Sequence, residues 1–304
     1  MSPAFLRRAA VLLAALVVVW TGLALLRRGW GGEPDEFRLP VLDSSAVTSV
    51  TIARPSDTIQ VTRTDTGWVV NGFRAAQNVV SFLLADLADT AARGELVAEA
   101  RASHARLGLD SASARRLTVR GSSGVLLDVL VGNRGRVYQS MYLRRDADDR
   151  VYQVTTRLIE VVERSLDDWR DKRIVLFPAD SFGTVEVQRG RTRFAVERYG
   201  TGWRIGADQA DSSAVDSWIR RLTDATASSF PTQPEIDSAK FEPPERSVVI
   251  RGRAGQVLVS LSFDSTASGY LVRRKPDGTV FRLDTWTTSQ IFVSDSTLRP
   301  RSQP

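Results

Sequence analysis

The chain has 304 residues, 42% of them hydrophobic and 25% charged, which suits about two ordinary globular cores and excludes a disordered or fibrous class. It has no cysteine, which excludes a disulfide framework, thiolate metal centres and a lipidated N-terminal cysteine. The net charge is +6, but Arg7, Arg8, Arg27 and Arg28 supply four of those charges. The other 37 basic and 35 acidic residues are interleaved, which argues against nucleic acid as a partner.

The first element in chain order is Ala9–Leu26, an uncharged run bounded by Arg pairs. About 18 apolar residues are enough for a membrane-spanning candidate. Trp20 and Trp30 sit near its outer end, where indole rings favour the interface. Residues 1–28 are therefore expected to be a cytoplasmic tail and one transmembrane helix, with all later domains translocated. A cleaved signal peptide is the alternative, since Gly22, Leu23 and Ala24 offer small residues at a suitable spacing. Residues 29–40 are rich in Gly, Pro and acids and read as a linker.

A first unit is expected over 41–174. Residues 47–52 and 58–63 alternate as strands, and the turn Asp65-Thr66-Gly67 leads into a strand at Trp68. Val79, Val80, Leu83, Leu84 and Leu87 recur at helical spacing. Strands follow at 117–120 and 125–131, then a hairpin pairing 137–143 with 151–154. Leu158, Val162, Leu166 and Trp169 make a second helical stripe that ends near Lys172 and Arg173.

A second unit is expected over 175–297. Residues 184–188 and 193–198 read as strands, and Ser213 opens a helix with a capping-box-like pattern. Val215, Trp218, Ile219 and Leu222 form that helix's buried stripe. Residues 257–263 alternate cleanly, so one sheet face is solvated. Pro276-Asp277-Gly278 marks the turn between the last strands. Residues 298–304 read as a disordered tail. The class is α+β: an N-terminal transmembrane helix, then two tandem related units, each of antiparallel strands with one or two packed helices.

The units are related by sequence. The stretch from Thr64 to Val70 returns as Tyr199 to Ile205, 135 positions later. Arg115 to Gly121 returns as Arg246 to Gly252 after 131, and Leu143 to Tyr152 as Val272 to Phe281 after 129. Three matches in one order indicate a duplication, with loop deletions causing the drift. Gly67, Trp68, Gly202 and Trp203 occur in both copies and are assigned as structural repeat anchors.

No reactive constellation stands out, so no catalytic, cofactor-binding or metal-binding residue is assigned. His104 is the only histidine, has no nucleophile-elbow serine beside it, and reads as structural. Asp146, Asp148 and Asp149 crowd a hairpin loop but lack the glycine and downstream glutamate of a calcium loop. The run Trp169, Arg170, Asp171, Lys172 and Arg173 is the candidate interaction surface; its plainer reading is a solvated, salt-bridged helix end.

The order of an N-terminal apolar segment, a Thr-Gly-Trp strand, an amphipathic helix, Leu107-Gly108-Leu109-Asp110, Val131-Gly132, the Tyr142/Tyr152 hairpin and Trp169–Arg173 resembles bacterial proteins of domain of unknown function 4340. The resemblance covers about residues 47–173. The second unit is a degenerate copy, with Phe241-Glu242-Pro243-Pro244 in place of the Leu-Gly-Leu-Asp motif and no Trp-Arg-Asp-Lys segment. The resemblance implies a non-catalytic scaffold or accessory module of an ABC-type export or gliding-motility-like complex. It would be held in a bacterial inner membrane by Ala9–Leu26, N-terminus cytoplasmic and domains periplasmic or otherwise extracytoplasmic. Its partners would be permease and ATPase subunits, and no cofactor is implied. An envelope polysaccharide or peptidoglycan binding module is the alternative, and it requires exposed aromatics among Tyr138, Tyr142, Tyr270 and Trp286.

Overall fold

The computed structural model describes residues 37–89 and 92–300. The expected anchor Ala9–Leu26 lies outside them, and among the described residues no helix is long and apolar enough to cross a membrane. The chain divides into two compact units, with the boundary between Arg170 and Asp171.

The first unit is built on a ten-stranded antiparallel sheet. Its strands are β1 (Phe37–Arg38), β2 (Val47–Ala53), β3 (Thr58–Thr64), β4 (Gly67–Val70), β5 (Phe73–Arg74), β6 (Arg93–Ala98), β7 (Arg115–Gly121), β8 (Gly124–Arg134), β9 (Ser140–Arg144) and β10 (Val151–Thr155). Their spatial order is β1-β6-β10-β9-β8-β7-β2-β3-β4-β5. Among the described residues four α-helices accompany them: α1 (Gln77–Leu87), α2 (His104–Leu107), α3 (Leu158–Val162) and α4 (Leu166–Trp169). Val50, Ile52 and Val61 from the sheet join Val80, Leu83, Val162 and Trp169 from the helices in one core. A smaller cluster of Leu107, Leu109, Tyr142 and Val151 forms apart from it.

The second unit has β11 (Phe182–Arg189), β12 (Thr192–Tyr199), β13 (Gly202–Ile205), β14 (Asp208–Gln209), β15 (Arg246–Gly252), β16 (Val257–Thr266), β17 (Gly269–Lys275) and β18 (Val280–Leu283), with α5 (Ser212–Asp224), α6 (Gln233–Ser238) and α7 (Thr285–Ile291). Its sheet order is β14-β13-β12-β11-β15-β16-β17-β18. Read from β5 to β10, the first unit has the same order of eight strands, and it adds β6 and β1 at the far edge. In the second unit the place of β6 is held by single bridges, Ser229 to Arg282 and Arg173 to Thr226.

The copies agree in detail. The β2–β7 pairing shifts between Val47 and Ser49, and the β11–β15 pairing shifts between Phe182 and Thr184. An extra residue resets the period-two alternation. That is why Val47 and Val50, and likewise Phe182 and Val185, are all buried although three positions apart. Both units also shift one position before the end of the next pairing, at Val119/Arg120 and at Ile250/Arg251.

Each unit closes on itself through its last residues. In the first, Ala76 N–H donates to the Trp169 carbonyl at 2.8 Å; in the second, Asp211 N–H donates to the Leu298 carbonyl at 2.9 Å. Ala75 and Ala210 likewise donate to the carbonyls of Trp68 and Trp203, both at 2.9 Å. Leu298 thus holds the place of Trp169. It is 1% exposed within the second core, and Arg299 pairs with Asp208 and Asp295.

Several expectations change. The disordered tail cannot begin at residue 298, because burying that leucine closes the unit. The degenerate copy keeps its closing segment, with Leu replacing Trp. The linker cannot extend to residue 40: Phe37–Arg38 pairs with β6, Phe37 stacks on Tyr152 at 4.8 Å, and Leu39 is buried. The second helical stripe is split, because Ser165 leaves helical geometry and accepts the Asp168 amide as the cap of α4. Helix α5 is capped by Asp211, which accepts from Ser213 and Ala214, and not by Ser213.

If Leu298 closes the second unit as Trp169 closes the first, Leu298→Ala should cost about 2–5 kcal/mol, as for other buried leucines. Denaturant unfolding of the full chain should show a lower midpoint for the second unit only. An unchanged unfolding curve would show that Leu298 does not close the unit.

Candidate functional site

The charged run that marks the candidate surface is divided between the units, and most of it is used internally. Trp169 is fully buried against α1, and Asp171 is 8% exposed, so neither offers contact area to a partner. Arg170, half-buried in the first unit, holds its guanidinium 3.7 Å from the centre of the Phe73 ring. Such stacking favours the cation, but burial outweighs it and pushes the Arg170 pKa down to about 10. Asp171 accepts from the backbone and guanidinium of Arg173, the closest contact being 2.6 Å. The Arg173 carbonyl accepts in turn from Arg274 at 2.7 Å. Arg274 is only 4% exposed, and its bidentate bonds to Asp277 balance the buried charge. Of the run, the Arg173 side chain is exposed, and Lys172 and Arg170 are partly so. The five residues therefore do not form one continuous surface.

The repeat anchors sit at matching places. Trp68 and Trp203 are 8% and 2% exposed, each following a tight turn into the core. Arg63 lies over Trp68 and Arg198 over Trp203. The glycines differ in role. Gly67 has φ +125°, which side chains rarely adopt, whereas at Gly202 an added Cβ would crowd the Ser212 hydroxyl.

The remaining motif residues pack on one another. Gly108 ends α2 in the left-handed conformation, and the chain turns so that Leu109 enters the small cluster. A Cβ at Gly132 would overlap the Leu107 carbonyl oxygen, so this glycine lets the α2 turn rest on β8. In the second unit Phe241, Leu271 and Val280 form the corresponding cluster, and the Leu-Gly-Leu turn is replaced by α6 and the segment after it.

Beside the α2 turn lies a cleft of about 510 Å³ lined by Arg101, His104, Asp110, Arg144 and Asp146, among others. His104 is 5% exposed, and its Nε2 donates to the Asp149 carbonyl at 2.8 Å, which makes it a brace for the β9–β10 loop. Arg144 is turned onto the carbonyls of Leu109, Arg145 and Asp146. Asp146 pairs with Arg116, and Asp148 with Arg150. Among the described residues no cluster of His or acidic side chains is placed to hold a metal ion.

Asp86 is the one buried acid on α1. It accepts from Arg157 at 2.8 Å, and its Oδ2 has no bond. Burial raises its pKa more than Arg157 lowers it. The corresponding residues of the second unit are Arg221 and Trp286, so the fold does not depend on the pair.

Residues 68–209 match the family model described as Domain of unknown function (DUF4340). The match begins at the buried Trp68 and ends six residues past its counterpart Trp203, spanning about one repeat. No curated protein and no solved structure matches the chain.

Two substitutions test this packing. Gly132→Ala should cost about 1–3 kcal/mol, the usual range for forcing atoms into a filled site, and chemical denaturation should locate the loss in the first unit. Asp86→Asn probes the raised carboxyl. A raised folded-state pKa stabilises the fold fully only below the unfolded-state pKa, and that contribution is lost as pH rises through the folded value. The Asn variant should therefore melt higher than the parent at neutral pH. The gap should close as pH falls through the carboxylate range, as thermal melts across that range would record.

Proposed function

We propose that this chain, which carries the DUF4340 domain over residues 68–209, is a non-catalytic, membrane-anchored extracytoplasmic scaffold. It serves as an accessory module of an ABC-type export or gliding-motility-like complex, with permease and ATPase supplied by other chains. The observation that carries this reading is that the motif residues of the first unit are used in packing. Gly108, Leu109 and Gly132 join the α2 turn to the sheet, and Trp169 closes the first unit. Residues that mark a family through its framework, on a duplicated sheet unit, suit a protein that holds other chains in place. The uncharged run Ala9–Leu26 supports an anchor in a bacterial inner membrane, with the two units outside the cytoplasm.

A second reading, binding of envelope polysaccharide or peptidoglycan, draws support from Tyr138 and Trp286, which are 83% and 72% exposed. Against it, Tyr142 is buried, and Tyr270 packs edge-on to Phe263 beneath Arg246.

Crosslinking and affinity purification of the full chain from native membranes, beside a version lacking residues 1–32, tests the proposal. Recovery of ABC permease or ATPase subunits, strongest with the N-terminal segment present, is the expected result. Recovery of envelope glycans alone, or of no partner, would contradict it.

A further inference from the structure

The β8–β9 hairpin of the first unit carries an apolar tip that the repeat does not need. Val137 and Tyr138 are 54% and 83% exposed and adjacent. The second unit closes the same hairpin with two small residues, Ala267 and Ser268, between the paired Thr266 and Gly269. The longer tip is firmly held. Gly135 N–H donates to the Ser140 carbonyl at 2.8 Å, and the Ser140 amide and hydroxyl both donate to the Val137 carbonyl. The Gln139 carbonyl accepts from Thr156 N–H at 2.7 Å, and its side chain donates to Glu160. Gln139 is held at φ +52°, a conformation that side chains disfavour. Backbone strain kept by that many bonds maintains two apolar side chains in water, an arrangement found where a partner receives them.

We infer that Val137 and Tyr138 dock into the headgroup region of an anionic lipid surface. Tyrosine favours that region because its ring is apolar and its hydroxyl stays wet. Arg136, exposed beside Gly135, complements lipid phosphates, while Arg134 on the other side of that glycine is already paired with Glu163. The inference rests on the anchor reading of Ala9–Leu26, and chain length permits it. The eleven steps from Leu26 to Phe37 reach at most about 40 Å. Phe37 lies on the sheet row that runs through Gly94, Val154 and Met141 to Arg134, the last residue of β8 before the tip. Four strand spacings along that row are only about 19 Å. A bilayer that holds the anchor is thus within reach of the tip.

The absence of cysteine makes single-site labelling direct. The full chain carrying Val137→Cys, which keeps Tyr138, would bear an environment-sensitive fluorophore in vesicles of phosphatidylethanolamine and phosphatidylglycerol. Ser268→Cys marks the corresponding tip of the second unit as a control. The expected result is blue-shifted emission at 137 that is quenched by lipid-borne nitroxides, weakens when phosphatidylcholine replaces the anionic lipid, and is lost with Tyr138→Ser. Emission at 137 as polar and unquenched as at 268 would overturn the inference. So would a blue shift without nitroxide quenching, which would place the tip against protein. Alkaline carbonate extraction of the same vesicles reads the anchor separately. A chain that is extracted, yet was quenched at 137 beforehand, would sink the anchor and keep the tip.

Discussion

Each unit depends on one backbone bond between distant parts of its chain. The amide just before or at the start of the main helix, Ala76 or Asp211, donates to the carbonyl of the unit's closing residue, Trp169 or Leu298. A helix start leaves its first amides without partners inside the helix. Here a main-chain oxygen from the end of the unit meets that need next to the start of the helix. The same bond brings the closing side chain to the helix, where Trp169 and Leu298 join the cores that also hold Leu83 and Leu222. Sheet, main helix and terminal segment are thereby joined in one core.

The bond also explains the charged run between the units. Trp169 and Arg170 finish one copy, and Asp171 to Arg173 begin the next, with Arg173 bridged to Thr226 much as Arg38 pairs with Arg93. The segment that opens the second copy is partly buried and must not leave unmatched charge there. The Asp171–Arg173 pair and the Arg274 bond to the Arg173 carbonyl meet that need. The charges that suggest a docking face in the sequence are, in large part, bonded within the copy to which each belongs.

Strand alternation and the Gly-Trp pairs made the duplication legible, because strands buried on one face leave a period of two. What escaped lacked that signal. Strand β1 is two residues long, and in β6 only Gly94 is buried, so neither carries a readable pattern. Leu158, Val162, Leu166 and Trp169 fit a continuous helical stripe, and only the Ser165 cap shows the break. Val137 reads as the start of a strand, yet β9 begins at Ser140, because the left-handed Gln139 keeps the tip out of the ladder. Leu298 keeps the 129-residue offset of the preceding match and is hidden only by the replacement of Trp by Leu. The internal use of the charged run is illegible for a related reason: a bond between Asp171 and Arg173, two positions apart, looks in sequence like two solvated charges.

The measurement closest to the central claim is native-state hydrogen exchange of the full chain, read at the amides of Ala76 and Asp211. If the closing segments belong to the cooperative cores, each amide exchanges only with global opening of its own unit, alongside core strand amides such as those of Val50 and Val185. Exchange of either amide at the rate of exposed turns, while those strands stay protected, would show that the closing segment is peripheral. The account of two self-closed copies would then fail.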